Sequence, residues 1–326
     1  MERKFKKFLS ASSIDDPLPP IVSGNLSDGE LQQQFNACVS YVSPNLDSEF
    51  AAEESIISPK VRIITFPEIP GLIYAPSMIR SKSQLPLLVS IMKDGMKPNS
   101  SSNLDLLFQE GGSLGTKAKP NALAAIPTEG LFSKILSQTW EASDALISLF
   151  RRYRWVALGV QYDWTTKEYS WEAPPSPIPA ELAKLSTEIC TVLVGSSGIN
   201  YKPQAGIINF YRPGDTLTGH VDRSEPDDQS PLVSISIGLD CIFLVGGPTR
   251  DDSVLPFRLS SGDVLLLMRE CRRNYHGVPL VIPGSLPQCL KASALDGCDI
   301  SEEESLALRL IDDARINVNI RQVWPS

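Results

Sequence analysis

A chain of 326 residues, 42% hydrophobic and 21% charged, has room for one large domain or two ordinary ones and the composition of a folded globular protein. No run approaches the ~18 apolar residues of a membrane span, and a net charge of −8 argues against the basic coating that binds nucleic acid tightly without specificity. The six cysteines, scattered from Cys38 to Cys298 with no CxxC pair, exclude a zinc finger or a disulfide framework and predict free thiols in a reducing compartment.

Met1 to Ser10 mixes basic and aromatic residues without an apolar segment, so it is not a secretory signal. The compartment expected is nucleus or cytoplasm, with the mitochondrion as alternative. Residues 1–60 are rich in Ser, Pro, Asp and Asn and predict a largely disordered segment, with a short amphipathic helix near Leu31 to Val42. Ordered text begins at VRIITF, a strand from Val61, and continues through IPGLIYAP. A helix fits Ser83 to Met92 if Pro86 sits in its first turn. Gly111 to Gly130 predicts a loop, whose GGSLGTK does not satisfy the phosphate-loop pattern. Helical periodicity covers Thr128 to Arg152, a strand Trp155 to Tyr162, and a helix Ile178 to Val194.

From there the chain reads as short strands and turns. Strands are predicted at Gly206 to Tyr211, Leu217 to Val221, Leu232 to Leu239, Cys241 to Val245, Pro256 to Leu259, Val264 to Met268, Arg272 to Tyr275 and Ile316 to Val323. This pattern predicts an α+β chain with a double-stranded β-helix, or jelly roll, over 201–326. A helical and lid extension over 61–200 would pack on it. Leu286 to Ala314 interrupts the last pair with an acidic run and a helix.

The chain has two histidines, His220 and His276. Asp222 lies two residues after the first, and residues i and i+2 of a strand share a face. Two imidazoles and one carboxylate form the set that holds non-haem Fe(II) with coordination positions open. Zinc in a hydrolase uses similar ligands, and either histidine by itself reads equally as a hydrogen-bonded core residue. The C-terminal RINVNIR decides the matter. Arg315, Asn317, Asn319 and Arg321 alternate on one face, with Ile316, Val318 and Ile320 on the other. Two inward guanidinium groups need anionic partners, and a dicarboxylate such as 2-oxoglutarate supplies both: one end chelates iron and the other meets an arginine fork.

The segments IPGLIYAP, RWVALGVQYDW, AGIINFYRPGDTLTGHVDRSE, SISIGLDCIFLVGG, SGDVLLLM, NYHGVP and ARINVNIRQV, in this order, resemble the AlkB dioxygenases, within them the subgroup called AlkB homologue one. The likeness covers roughly Glu68 to Val323. It implies iron at His220, Asp222 and His276, and 2-oxoglutarate hydrogen-bonded by Asn209 and Tyr211. It places Arg315 at the distal carboxylate with Asn317 in support, and Arg321 near the iron-bound acid. Asn319 replaces a usual Thr. On the substrate side it implies a lid over Trp155 to Trp164 with Gln161 and Tyr162, and Arg250 after the Gly246-Gly247 pair. Val160 stands where the lid pattern has a tyrosine, and Ser224 where some members have an acid.

The implied activity is Fe(II)-, 2-oxoglutarate- and O2-dependent demethylation of bases in tRNA or single-stranded DNA, by a monomer with no membrane partner. A protein hydroxylase or demethylase on the same fold and a non-catalytic nucleic-acid-binding protein are the alternatives. Two arginine clusters, Arg151, Arg152, Arg154 and Arg269, Arg272, Arg273, are candidates for a basic rim or for plain solvated charge.

Overall fold

The computed structural model describes residues 20–44, 55–96, 101–104, 130–138, 143–163, 166, 168–170, 176–195, 200–295 and 297–325. The first 19 residues, GGSLGTK with most of its loop, and Trp164 lie outside the described residues.

Two sheets form the frame. The larger runs, in spatial order, β2 (Cys38–Val42), β3 (Val61–Thr65), β4 (Leu72–Ala75), β13 (Val264–Leu267), β10 (Leu232–Gly238), β15 (Arg315–Arg321), β8 (Ala205–Tyr211) and β5 (Trp155–Gly159). The smaller runs β1 (Val22–Ser23), β12 (Leu255–Leu259), β11 (Cys241–Val245), β14 (His276–Val281) and β9 (Leu217–His220). From β8 onward the chain passes back and forth between the sheets, which gives the jelly-roll core. β6 (Gln161–Asp163) and β7 (Glu168–Ser170) form a separate hairpin.

Alternation explains the centre of the larger sheet. β10 reads LVSISIG and is buried along its whole length between β13 and β15. Val233, Ile235 and Ile237 are fully buried in the main apolar core, each contributing about 1.5–3 kcal/mol on burial. Helix α5 (Ala180–Val194) packs against β10. Ser234 and Ser236 fall in the other phase, with Ser234 turned to the space between the sheets. In β15, directly beside it, Ile316, Val318 and Ile320 are fully buried while Arg315, Asn317, Asn319 and Arg321 face that same space. Helices α2 (Ser81–Asp94) and α6 (Glu302–Ile311) pack on each other. α6 begins with a reciprocal cap between Ser301 and Glu304.

Several elements differ from the sequence expectation. Residues 20–44, inside the stretch expected to be largely disordered, form β1, α1 (Asp28–Phe35) and β2. Val22 and Leu31 are fully buried, and Ser27 and Glu30 make a capping box, so this segment has an apolar anchor that its composition conceals. The helix at Pro86 begins at Ser81, which puts the proline in the second turn. Thr128 to Arg152 contains two short helices, α3 (Leu131–Leu136) and α4 (Asp144–Phe150).

The strand expected over Arg272 to Tyr275 is replaced by a 3-10 helix, Arg269–Arg273, and β14 starts at His276. Within that turn the Arg272 side chain is buried and points inward to Glu225 and the Ser230 carbonyl.

Candidate functional site

β9 ends at His220 and β14 begins at His276, and the two residues are direct partners in the ladder. Their rings lie 4.4 Å apart between centroids. The close approach requires Gly277: a Cβ there would fall 2.8 Å from the Leu217 carbonyl oxygen and 3.2 Å from the Gly219 nitrogen. Asp222 follows two residues after His220, and one ligand atom from each of His220, Asp222 and His276 lies within 4.8 Å of the others.

The imidazoles are oriented for metal binding. His220 Nδ1 sits 3.0 Å from the Thr218 carbonyl and His276 Nδ1 3.2 Å from that of Asn274. With Nδ1 as the donor, each Nε2 keeps its lone pair for a cation. Burial lowers the His276 pKa and so favours the neutral ring. Burial alone would raise that of Asp222. The Arg321 guanidinium leads the neighbouring charges that outweigh it and hold the carboxyl well below the usual range.

The three ligands stand at one end of a cavity of 220 Å³ between the sheets. Arg315 stands at the other end of β15, at 1% exposure. Its Nη2 donates to Ser236 Oγ at 2.9 Å, its Nη1 reaches the Leu239 carbonyl only at 3.5 Å, and its Nε has no partner. Among the described residues no carboxylate pairs with it. A guanidinium buried in this way needs an anion, and the cavity it lines is where one fits. Asn317 Nδ2 donates to Ser234 Oγ at 2.8 Å and to the Ile235 carbonyl at 3.2 Å. Asn209 and Tyr211 line the same space from β8. The donor set therefore suits a divalent cation and a small dicarboxylate side by side.

Arg321 is held differently. Its Nη1 is shared between Asp222 Oδ2 at 3.1 Å and Glu225 Oε1 at 2.8 Å. Glu225 also accepts from Arg272 Nη2 at 3.1 Å and from the Tyr169 hydroxyl at 2.7 Å.

Eight of the eleven site residues expected from sequence line the cavity: Asn209, Tyr211, His220, Asp222, His276, Arg315, Asn317 and Arg321. Gln161, Tyr162 and Arg250 do not. Gln161 donates to Ser176 Oγ at 2.7 Å and to the Gly159 carbonyl at 3.0 Å, at the base of the hairpin. The Tyr162 hydroxyl meets Ser224 Oγ at 2.9 Å and its ring lies against Tyr169. Arg250 lies over the Tyr275 ring, 5.5 Å from its centroid, in a neighbouring cleft of 490 Å³ that reaches His276.

The arginine clusters separate as well. Trp155 pairs with Asn209 and Gly159 with Ala205, while Arg315 pairs with Tyr211 and Arg321 with Ala205. Arg151, Arg152 and Arg154 therefore lie toward the Arg315 end of the roll, away from the metal ligands, and Arg154 pairs with Asp215. Of the second cluster, Arg272 is an internal partner of Glu225 and Arg273 pairs with Asp228, while Arg269 is exposed.

Sequence reasoning passed over Ser234, Ser236 and Tyr169. The Ser-Ile-Ser-Ile alternation signals the two serines. Tyr169 has no such signal, because only the fold brings it to Glu225.

Residues 121–321 match the family profile described as the 2OG-Fe(II) oxygenase superfamily. The chain is 34% identical over 288 residues to a tRNA demethylase, abh1, of Schizosaccharomyces pombe, across 87% of this chain and 89% of that protein. It is 29% identical over 265 residues to the DNA N(6)-methyladenine demethylase ALKBH1A of Arabidopsis thaliana, covering 78% and 76% of the two chains. It is 38% identical over 189 residues to the nucleic acid dioxygenase ALKBH1 of Mus musculus, covering 54% of this chain and 47% of that one.

Proposed function

The chain belongs to the 2OG-Fe(II) oxygenase superfamily, and from that premise we propose that it oxidatively demethylates methylated bases in nucleic acid, tRNA or single-stranded DNA, as a monomer. Its reaction takes Fe(II), 2-oxoglutarate and O2. The observation that carries this reading is the juxtaposition of His220, Asp222 and His276 at one end of the cavity between the sheets with Arg315, which has no carboxylate partner among the described residues, at the other. The activities for which the relatives are named support a nucleic-acid substrate.

In this reading the Nε2 atoms of His220 and His276 and one oxygen of Asp222 hold the iron. Arg315 takes the distal carboxylate of the co-substrate, with hydrogen bonds from the side chains of β8. Arg321 lies near the other end and keeps Asp222 ionised. Held there, Fe(II) with 2-oxoglutarate and O2 would supply the oxidising power for a methyl C–H bond, with succinate, CO2 and formaldehyde as the products. The chain's task is to present the methyl group. A base reaches this depth only when extruded from a duplex or already single-stranded. The hairpin brings Tyr162 and Tyr169 to Ser224 and Glu225, just beyond the metal-ligand Asp222, and aromatic rings of this kind serve base stacking.

The test is to incubate Fe(II)-loaded protein with 2-oxoglutarate, O2 and a panel of methylated tRNA and DNA oligonucleotides, with methylated peptides in parallel, following succinate and products by mass spectrometry. Base demethylation that His276→Ala abolishes is the expected result. Succinate formed with change only in the peptides would move the substrate class to protein, and no succinate under any condition would overturn the reading.

A further inference from the structure

Glu225 is buried 3 residues beyond Asp222 and takes no place in the ligand set, yet both of its oxygens are saturated by charged or polar donors. Oε1 accepts from Arg321 Nη1 at 2.8 Å and from the Tyr169 hydroxyl at 2.7 Å, and Oε2 accepts from Arg272 Nη2 at 3.1 Å. Arg321 spans the gap to Asp222 Oδ2 at 3.1 Å, while Asp222 Oδ1 faces His220 Nε2 at 3.7 Å. Tyr169 belongs to β7 of the hairpin, opposite Tyr162, and its ring also meets that of Trp324, three residues after Arg321. A continuous chain of contacts therefore runs from hairpin to metal carboxylate: Tyr169, Glu225, Arg321, Asp222.

We propose that Glu225 is a positioning residue with two effects: it draws Arg321 partly off Asp222 so that one carboxylate oxygen stays free for the cation, and it latches the hairpin through Tyr169 to the same arginine. The inference deepens the proposed function and rests on its metal site. The physical reason lies in the competition for Arg321. One Nη1 serves two carboxylates, and the Glu225 contact is the shorter. With a neutral side chain at 225, Arg321 has one remaining charged partner and closes on Asp222, in direct competition with a divalent ion. Loss of the nearby negative charge acts in the same direction. Tyr169 hydrogen-bonds Glu225 and neither Arg321 nor Asp222, and its loss leaves the Glu225 charge in place, so its hydroxyl bears chiefly on the hairpin.

The experiment titrates Co(II) into the full-length metal-free protein, wild type, Glu225→Gln, Glu225→Asp and Tyr169→Phe, following visible absorption and calorimetry, and measures amide hydrogen exchange over 161–163 and 168–170. Glu225→Gln is expected to lose at least tenfold in Co(II) affinity and to speed exchange in the hairpin. Tyr169→Phe is expected to keep Co(II) affinity within twofold while speeding the same exchange. Co(II) binding by Glu225→Gln at wild-type affinity would overturn the positioning role, even with a lowered melting temperature. Unchanged exchange in Tyr169→Phe would overturn the latch. If Glu225→Gln does not fold, Glu225→Asp decides: its side chain is too short to serve Arg321 and Tyr169 together, and wild-type affinity in it refutes the idea. Failure of the wild type itself to bind Co(II) would sink the metal reading instead, so the two failures are distinguishable.

Discussion

Arg315→Met separates two quantities that a merely structural arginine would move together. The side chain is at 1% exposure, its Nε has no partner, and no carboxylate among the described residues neutralises it. Without an anion, it is a buried charge held by Ser236 and the distant Leu239 carbonyl. Replacing an ill-compensated buried ion by an apolar side chain of similar length is neutral or stabilising by about 1–4 kcal/mol. The melting temperature of the ligand-free protein should therefore hold or rise, by a few degrees at about 2–4 °C per kcal/mol for a chain of this class.

Co-substrate binding should move oppositely. Removing one partner of a buried charge pair costs about 3–5 kcal/mol, and with about 1.4 kcal/mol per tenfold the loss is between about a hundredfold and a few thousandfold. Arg315→Lys keeps the charge but not the fork, and should fall between. The assay is anaerobic calorimetry of 2-oxoglutarate with Mn(II) in place of iron, beside differential scanning calorimetry of the free protein. Affinity within threefold of wild type in Arg315→Met would refute the clamp. A clear fall in melting temperature would refute the claim that Arg315 is uncompensated without its ligand.

Gly277→Ala places a methyl 2.8 Å from the Leu217 carbonyl, so β9 and β14 must part where they carry His220 and His276; Co(II) affinity should drop at least tenfold with the fold retained, and a wild-type titration curve would contradict this. Asp263 is buried in the turn before β13 and accepts from the Tyr74 hydroxyl and from the backbone N–H groups of Ser77 and Ser260, each at 2.8 Å. Burial, opposed by those donors, raises its pKa to about 6. A folded value above the unfolded ~3.9 means that its favourable contribution is complete below the unfolded pKa and is lost as pH rises through about 6. Denaturant unfolding from pH 4 to pH 7 should therefore decline more steeply in wild type than in Asp263→Asn, by on the order of 3 kcal/mol across the range, and parallel slopes would exclude the effect.

The inner face of β15 was legible because a strict alternation of Arg/Asn with Ile/Val has one satisfactory burial, and β10 beside it repeats the rule with Ser and Ile. The two histidines were legible because the chain has no others to choose from. Periodicity failed where a single long-range contact overrides it. Arg272 reads as part of a strand or a basic rim, yet it sits in a 3-10 turn and pairs inward with Glu225, 47 residues earlier. Arg154 reads as rim charge and lies toward the other end of the roll, since strand order and register, not charge, decide which end a residue occupies. The segment over 20–44 was hidden for a related reason: its few apolar residues, Val22 and Leu31, bury completely against a core that the rest of the chain provides.

The charge pattern of the cavity links its two guests. Arg315 and Arg321 against Asp222 leave 2 − 1 = +1 on the lining, with the imidazoles neutral as ligands. Arg272 and Glu225 behind it cancel. A divalent cation alone would bring this total to +3, and a dicarboxylate alone to −1. Both together return it to +1, the state in which the dicarboxylate neutralises what the cation adds. In a cavity between two sheets such differences are less screened than in bulk water, so each guest should bind more tightly in the presence of the other. The coupling is reciprocal by thermodynamic necessity, and typical values of about 1–3 kcal/mol correspond to roughly 5- to 150-fold. The same arithmetic explains why Arg321 is shared. Were it committed wholly to Asp222, the one carboxylate in the ligand set would be spent before the cation arrived. Glu225 prevents that from outside the cavity, which is why a residue that touches neither guest belongs to the account of how both are held.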